Sequence, residues 1–222
     1  METVVFVTPK KYNRDILIEP MYKRISLDYP VLVRDAVAAK LGRIAKRLPE
    51  DLSLQVDDGY RAHYIQEILW NNRYKENRKN NPLLTKEELH KLTRSLVFNP
   101  KEGVPPHSTG GAVDISLVDE KGNEINLSDP FEHYYEEAGL MSNKISKKAQ
   151  NLRLLLHEAM LSEGFAPLPG EYWHFSHGDR VWGEFYNKKP LFTVEILPDA
   201  YYFPLYRRVF NRILHRLWKT FN

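Results

Sequence analysis

Residues 107–114 read HSTGGAVD and residues 171–174 read EYWH. Two histidines, His107 and His174, and two carboxylates, Asp114 and Glu171, are the side-chain types that bind a transition metal or move a proton near neutral pH. A catalytic zinc takes three protein ligands and keeps a fourth position open. His107 and Asp114 can supply two of them. The six residues between them are too few to build an element, but a loop through Gly110 and Gly111 can fold back so that both side chains face one point. His174 is the leading third ligand and Glu171 the candidate base. The chain contains no cysteine, which excludes a thiolate site and a disulfide framework and leaves His, Asp and Glu as the only transition-metal ligands.

Each of these residues also has an ordinary reading. A histidine in an aromatic strand is commonly a hydrogen-bonded core residue, and an aspartate beside a glycine turn is commonly turn chemistry. On a regular strand, residues three apart face opposite sides, so Glu171 and His174 share a site only if the strand bends or begins after Glu171. Pro167, Pro169 and Gly170 favour a late start. His177 is the rival ligand; by the same parity, at most one of His174 and His177 reaches a given metal. His63, His90, His133, His157 and His215 have no comparable context.

The elements that must position these residues follow from periodicity. Val33, Val37, Leu41, Ile44 and Leu48 recur at helical spacing and stop at Pro49, which predicts an amphipathic helix over residues 32–48. Leu52, Leu54 and Val56 alternate as in a strand, Asp57-Asp58-Gly59 reads as a turn, and a helix-compatible stretch runs from Ala62 to Trp70. The polar, basic residues 71–82 suggest a surface excursion. Thr85 and Glu88 then form a capping-box pattern that opens a helix carrying Leu89, Leu92 and Leu96. Val113, Ile115 and Leu117 alternate with Asp114, Ser116 and Val118, and Glu120 to Asn123 turns toward a second strand over residues 124–127, a predicted hairpin. A helix over residues 146–163 ends at Gly164, a natural C-cap.

At 222 residues, 42% apolar and 27% charged, the chain is long enough to bury one sizeable core, and no stretch is apolar enough to span a membrane. A net charge of +3 does not argue for nucleic acid. The N-terminus offers only the short apolar run 4–7 before Lys10 and Lys11, too short for a secretory signal, so a cytoplasmic location is expected.

The run His107 to Asp114, the E-x-W-H run ending at His174 and the D-G-Y-R turn ending at Arg61 together resemble the zinc D-alanyl-D-alanine dipeptidases, the vancomycin-resistance type included, and their wider DD-peptidase relatives. The resemblance covers roughly residues 30 to 190. It implies one zinc ion (Zn2+) per chain on His107, Asp114 and His174, Glu171 handling the proton, and Arg61 stabilising the developing oxyanion. It also implies a small peptide substrate, D-alanyl-D-alanine, with Glu132 as a candidate partner for its ammonium group. One position departs from the pattern: Pro105 stands where the family commonly has serine, which puts substrate contacts in question more than the metal. The other readings are a zinc carboxypeptidase or endopeptidase acting on longer peptidoglycan peptides, and a metal-stabilised binding module without catalysis.

The expected architecture is a single α+β domain, a central antiparallel sheet with surrounding helices, over residues 1–200. Residues 201–222 are expected to form a basic amphipathic C-terminal helix, with Phe210, Leu214, Leu217 and Phe221 on one face and Arg208, Arg212, Arg216 and Lys219 on another. That face can pack on the domain, meet a partner helix or rest peripherally on an anionic membrane.

Overall fold

Val113, Ile115 and Leu117 are fully buried in the main apolar core, while Asp114 and Ser116 between them point to the opposite face of the same strand. This alternation gives the sheet one face to close a core and another to carry chemistry. In the computed structural model, which describes residues 4–6, 16–18, 31–130 and 138–193, the strand belongs to a domain with the following order. Strands β1 (Val4–Phe6), β2 (Ile16–Ile18) and β3 (Leu32–Arg34) precede helix α1 (Asp35–Arg47) and strand β4 (Leu52–Asp58). Helices α2 (His63–Asn80) and α3 (Lys86–Arg94) follow, then 3-10 turns at Pro100–Glu102 and Pro106–Thr109, then β5 (Ala112–Asp119). Helix α4 (Lys147–Ser162), strands β6 (Ala166–Leu168) and β7 (Glu171–Ser176) and helix α5 (Arg180–Tyr186) complete it.

The main sheet has the order β2-β4-β5-β7-β6. Its four strands β4, β5, β7 and β6 are antiparallel, as expected, and β2 adds a parallel edge on β4. β1 and β3 form a separate antiparallel pair. Val37, Leu41 and Ile44 of α1 and Leu156 and Met160 of α4 close the core over the apolar face. Among the described residues no helix is long and apolar enough to cross a membrane. Glu132, His133 and the segment 201–222 lie outside the described residues, as does the expected boundary at residue 200.

Three local expectations are corrected. The predicted helix over 32–48 begins only at Asp35, because residues 32–34 are held extended by tertiary bonds: the Arg34 N–H donates to the Gly110 carbonyl at 3.0 Å and the Tyr60 N–H to the Leu32 carbonyl. The polar stretch 71–82 is no excursion, since α2 runs through it to Asn80, rich in good helix formers and pinned where Asn77 Nδ2 donates to Thr93 Oγ1 of α3 at 3.1 Å. The predicted hairpin partner at 124–127 reduces to one bridge, Val118 with Glu124, and β5 pairs along its length with β4 instead. The locally encoded ends match: Thr85 and Glu88 form the capping box, Ser146 caps α4, and Gly164 follows that helix with φ +75°.

Candidate metal centre

The site begins with the turn between Pro106 and Thr109, which Gly110 ends in the left-handed region at φ +72°. Gly111 then lies so close to β7 that an added Cβ would stand 2.2 Å from the His177 carbonyl oxygen. The His177 N–H donates to the Gly111 carbonyl at 2.9 Å, which fastens the loop to that strand. These contacts are why small residues separate His107 from Asp114. Gly111→Ala is expected to lower unfolding stability by about 1–3 kcal/mol, the usual cost of overpacking a filled site; a denaturant melt unchanged from wild type would contradict it.

Asp114 on β5 pairs directly with His174 on β7, so both side chains share the polar face. The turn brings His107 over them. His107 Nε2 lies 3.2 Å from His174 Nδ1 and 3.4 Å from Asp114 Oδ1, and His174 Nδ1 lies 3.0 Å from the same oxygen. All three residues are buried. Atoms each about 2.0–2.1 Å from a tetrahedral zinc stand roughly 3.3 Å apart, so this triangle fits such an ion.

The outer partners of the imidazoles point the same way. His107 Nδ1 is 2.8 Å from the Gly59 carbonyl, which only accepts, so Nδ1 carries the proton and Nε2 turns a lone pair inward. His174 Nε2 is 3.2 Å from Ser176 Oγ, which leaves Nδ1 as its inward lone pair when Nε2 donates. In that tautomer two nitrogen lone pairs and a carboxylate oxygen converge, an arrangement that calls for a cation. Burial works against ionised Asp114, yet His107 and His174 hold its carboxyl well below the usual range. Burial would depress His174, and the Asp114 carboxylate overcomes it and raises the imidazole. Protons and metal therefore compete for the same lone pairs.

Arg61 reaches this centre from the other side. β4 carries a bulge between Val56 and Asp58, so Asp58 stands opposite Asp114 on the polar face. Asp58 Oδ2 accepts from Arg61 Nε at 3.0 Å and from Nη2 as well, while Arg61 Nη1 donates to Gln66 Oε1 at 2.8 Å. The guanidinium is fixed with Nη2 3.9 Å from Asp114 Oδ2. One turn, Asp58 to Arg61, thus orients a ligand through the Gly59 carbonyl and sets a cation beside the site.

Glu171 lies within β7, not before it. The parity problem is removed by irregular register: Leu168 of β6 pairs with Glu171, but the next residue back, Pro167, pairs with Phe175. Residues 172–174 take up the difference, and strict alternation does not connect Glu171 to His174. Burial pushes the Glu171 carboxyl above its usual value, and the other charges acting on it are His174, Asp114, His107 and Arg61. The carboxyl therefore lies within reach of their charges. His177 is turned elsewhere: its Nδ1 faces the Gly164 carbonyl at 3.3 Å, and its ring sits among Phe165, Trp182 and Phe192. Sequence reasoning missed Asp58, Gln66 and Ser176 as supports. Ser176, two residues from His174 on the same face, had a legible signal in that spacing.

The model of the D-ala-D-ala dipeptidase family matches residues 23–194. The chain belongs to that family. It is 28% identical over 196 residues to a D-alanyl-D-alanine dipeptidase of Synechocystis sp., covering 76% of this chain and 79% of the relative. It is 27% identical over 145 residues to a D-alanyl-D-alanine dipeptidase of Escherichia coli, 65% of each chain. Among solved structures, a vancomycin-resistance D,D-pentapeptidase in complex with Zn(II) superposes with a TM-score of 0.45 at 16% identity, covering 78% of this chain and 86% of that one. As a member of the dipeptidase family the protein is an enzyme, a metallopeptidase.

Proposed function

We propose that this dipeptidase-family enzyme hydrolyses D-alanyl-D-alanine with one zinc ion held by His107 Nε2, His174 Nδ1 and Asp114. The observation that carries the reading is the convergence of those three atoms within hydrogen-bonding distances of one another, with Arg61 beside them and Glu171 within reach of their charges. Bound there, zinc supplies Lewis acidity toward the scissile carbonyl and makes water a better nucleophile near neutral pH.

The protein's own groups do the rest. Glu171 accepts the proton of the attacking water and passes it to the departing amine, a task for which a carboxyl raised by burial is better matched than an ordinary one. Arg61 cannot swing to meet the substrate, because Asp58 and Gln66 hold three of its nitrogens. A cation fixed in advance favours the negative charge that develops on the carbonyl oxygen over the neutral amide. The Gly59 carbonyl keeps His107 in the tautomer that faces the metal, and Ser176 Oγ can accept from His174 Nε2–H in the matching tautomer of that ring.

The test is hydrolysis of D-Ala-D-Ala beside its N-acetyl derivative and a longer peptide ending in D-Ala-D-Ala. The free dipeptide is expected to be cleaved, chelator to stop the reaction and added zinc to restore it. Its N-acetyl derivative is expected to react at least about a hundredfold more slowly, the scale of losing a charge-assisted contact. Equal rates on the free and blocked peptides would replace the dipeptidase with a carboxypeptidase. Pro105 makes this arm informative: its ring, at φ −62°, opens the turn that carries His107 and offers no hydroxyl to the substrate.

A further inference from the structure

The Gly59 carbonyl fixes the tautomer of His107, whereas the outer partner of His174 is a hydroxyl. Ser176 Oγ, 3.2 Å from His174 Nε2, can accept from Nε2–H or donate to a bare Nε2, because a hydroxyl carries one proton and two lone pairs. On the inner side, Asp114 Oδ1 stands 3.0 Å from His174 Nδ1 and competes for a proton there. A proton on Nδ1 closes that lone pair to a metal. Some acceptor beyond Ser176 must therefore take the serine's proton if Nε2 is to keep its own.

The chain supplies such an acceptor three residues on. β7 ends at Ser176, Gly178 turns the backbone in the left-handed region at φ +73°, and Asp179 caps α5, its Oδ1 accepting from the Trp182 N–H at 3.1 Å. Asp179 Oδ2 is buried without a hydrogen-bond partner, alone in this among the buried side-chain oxygens and nitrogens of the described residues. The helix cap thus accounts for one oxygen and leaves the other lacking the donor that buried polar atoms ordinarily have. Ser176 and Asp179 are both fully buried, and Asp179 is among the charges that raise His174, so the carboxylate lies within reach of that ring. His177, between them in sequence, is no rival donor: its Nδ1 proton points at the Gly164 carbonyl, and burial keeps the ring neutral.

We propose that Asp179 is a positioning residue for the metal: its Oδ2 draws the Ser176 hydroxyl proton, directly or through one buried water, so that Ser176 accepts from His174 Nε2–H and the Nδ1 lone pair faces the ion. The inference rests on the zinc-site reading and deepens it. The relay has one direction. A carboxylate only accepts, the hydroxyl passes that polarity on, and the imidazole is left with its proton on the outer nitrogen. Asp179 touches neither metal nor substrate, and its effect falls on how firmly His174 holds the ion.

The experiment measures the zinc affinity of the full-length protein, by competition with a chromophoric chelator, in wild type, Asp179→Asn, Ser176→Ala and the double variant. Asparagine keeps an oxygen for the Trp182 N–H and puts a donor in place of Oδ2, which reverses the relay. Each single variant is expected to bind zinc about 10–100-fold more weakly, the range for losing an outer partner of a metal-bound histidine. The double variant is expected to match Ser176→Ala within about threefold, because the relay is already broken there. In zinc-loaded protein carrying isotope-labelled histidine, the His174 Nε2–H signal is expected to exchange with solvent at least about tenfold faster in Asp179→Asn, while His107 Nδ1–H, held by Gly59, stays as in wild type. Loss of the helix cap alone would lower unfolding stability and leave affinity and exchange as they were. Zinc affinity in Asp179→Asn within about twofold of wild type overturns the proposal, as do losses that add in the double variant, the mark of a carboxylate acting by its charge alone. Should Asp179→Asn fold poorly, Asp179→Ser retains a capping oxygen, lacks Oδ2 and is held to the same limits. If wild type holds no zinc, the zinc-site reading fails by itself, and the ring nitrogen shifts of the metal-free protein at alkaline pH decide for or against Asp179: Asp179→Asn should move His174 toward the Nδ1–H tautomer, and an unmoved tautomer overturns the assignment.

Discussion

Glu171→Gln is expected to retain its zinc and to lose about a hundred- to ten-thousandfold in hydrolysis, the range for removing a positioned base. The two halves of that result have separate physical origins. Metal retention follows because the three converging lone pairs belong to His107, His174 and Asp114, and Glu171 acts on them only through its charge. Loss of rate follows because an amide of the same shape cannot take a proton from water. The substitution also removes a negative charge beside His174 and Asp114, so metal affinity is expected to shift slightly and turnover severely. Elemental analysis together with kcat on D-Ala-D-Ala separates the two. A variant that turns over at the wild-type rate would remove Glu171 from the chemistry. Zinc-bound wild type that cleaved no D-Ala-containing peptide would favour the binding module, although a purely structural ion needs neither a nearby raised carboxyl nor a fixed Arg61.

How far the sequence could be read depended on whether the deciding contact was local. The ends of α4 were legible because Ser146 and Gly164 act within one turn of the helix. The start of α1 was not, because residues 32–34 are drawn out by a bond to Gly110, seventy-six positions away. His107 and Asp114 were legible as a pair because a short glycine loop limits where they can go. The glycines answer to specific contacts as well: Gly110 adopts a positive φ, and Gly111 leaves no room for a side chain against β7. Glu171 beside His174 could be proposed but not resolved, since their sharing a site depends on a register shift between β6 and β7. The role of Asp58 was hidden for the same reason. A bulge exists only relative to a partner strand, and Asp57-Asp58 in isolation reads as a turn.

The histidine assignment yields the other large effect. His174→Ala is expected to drop bound zinc from about one ion per chain to almost none after dialysis against dilute chelator, and to abolish hydrolysis with it. His177→Ala is expected to keep both. The two residues are three apart in one sequence stretch, and composition does not separate them. Their surroundings do. His174 is buried with Nδ1 3.0 Å from Asp114 and 3.2 Å from His107 Nε2, so its removal takes away one of the three proposed ligands and leaves two lone-pair donors that would no longer enclose an ion. The cost should exceed the 10–100-fold that attends loss of a supporting partner. His177 faces the Gly164 carbonyl among three aromatic rings, and burial lowers its pKa, as befits an imidazole packed as a neutral ring. Replacing it with alanine leaves a cavity beside Phe165 and Trp182, so stability should fall while zinc stays. Full zinc in His174→Ala together with loss in His177→Ala would transfer the ligand role to His177, and the pairing of Asp114 with His174 would then need another purpose.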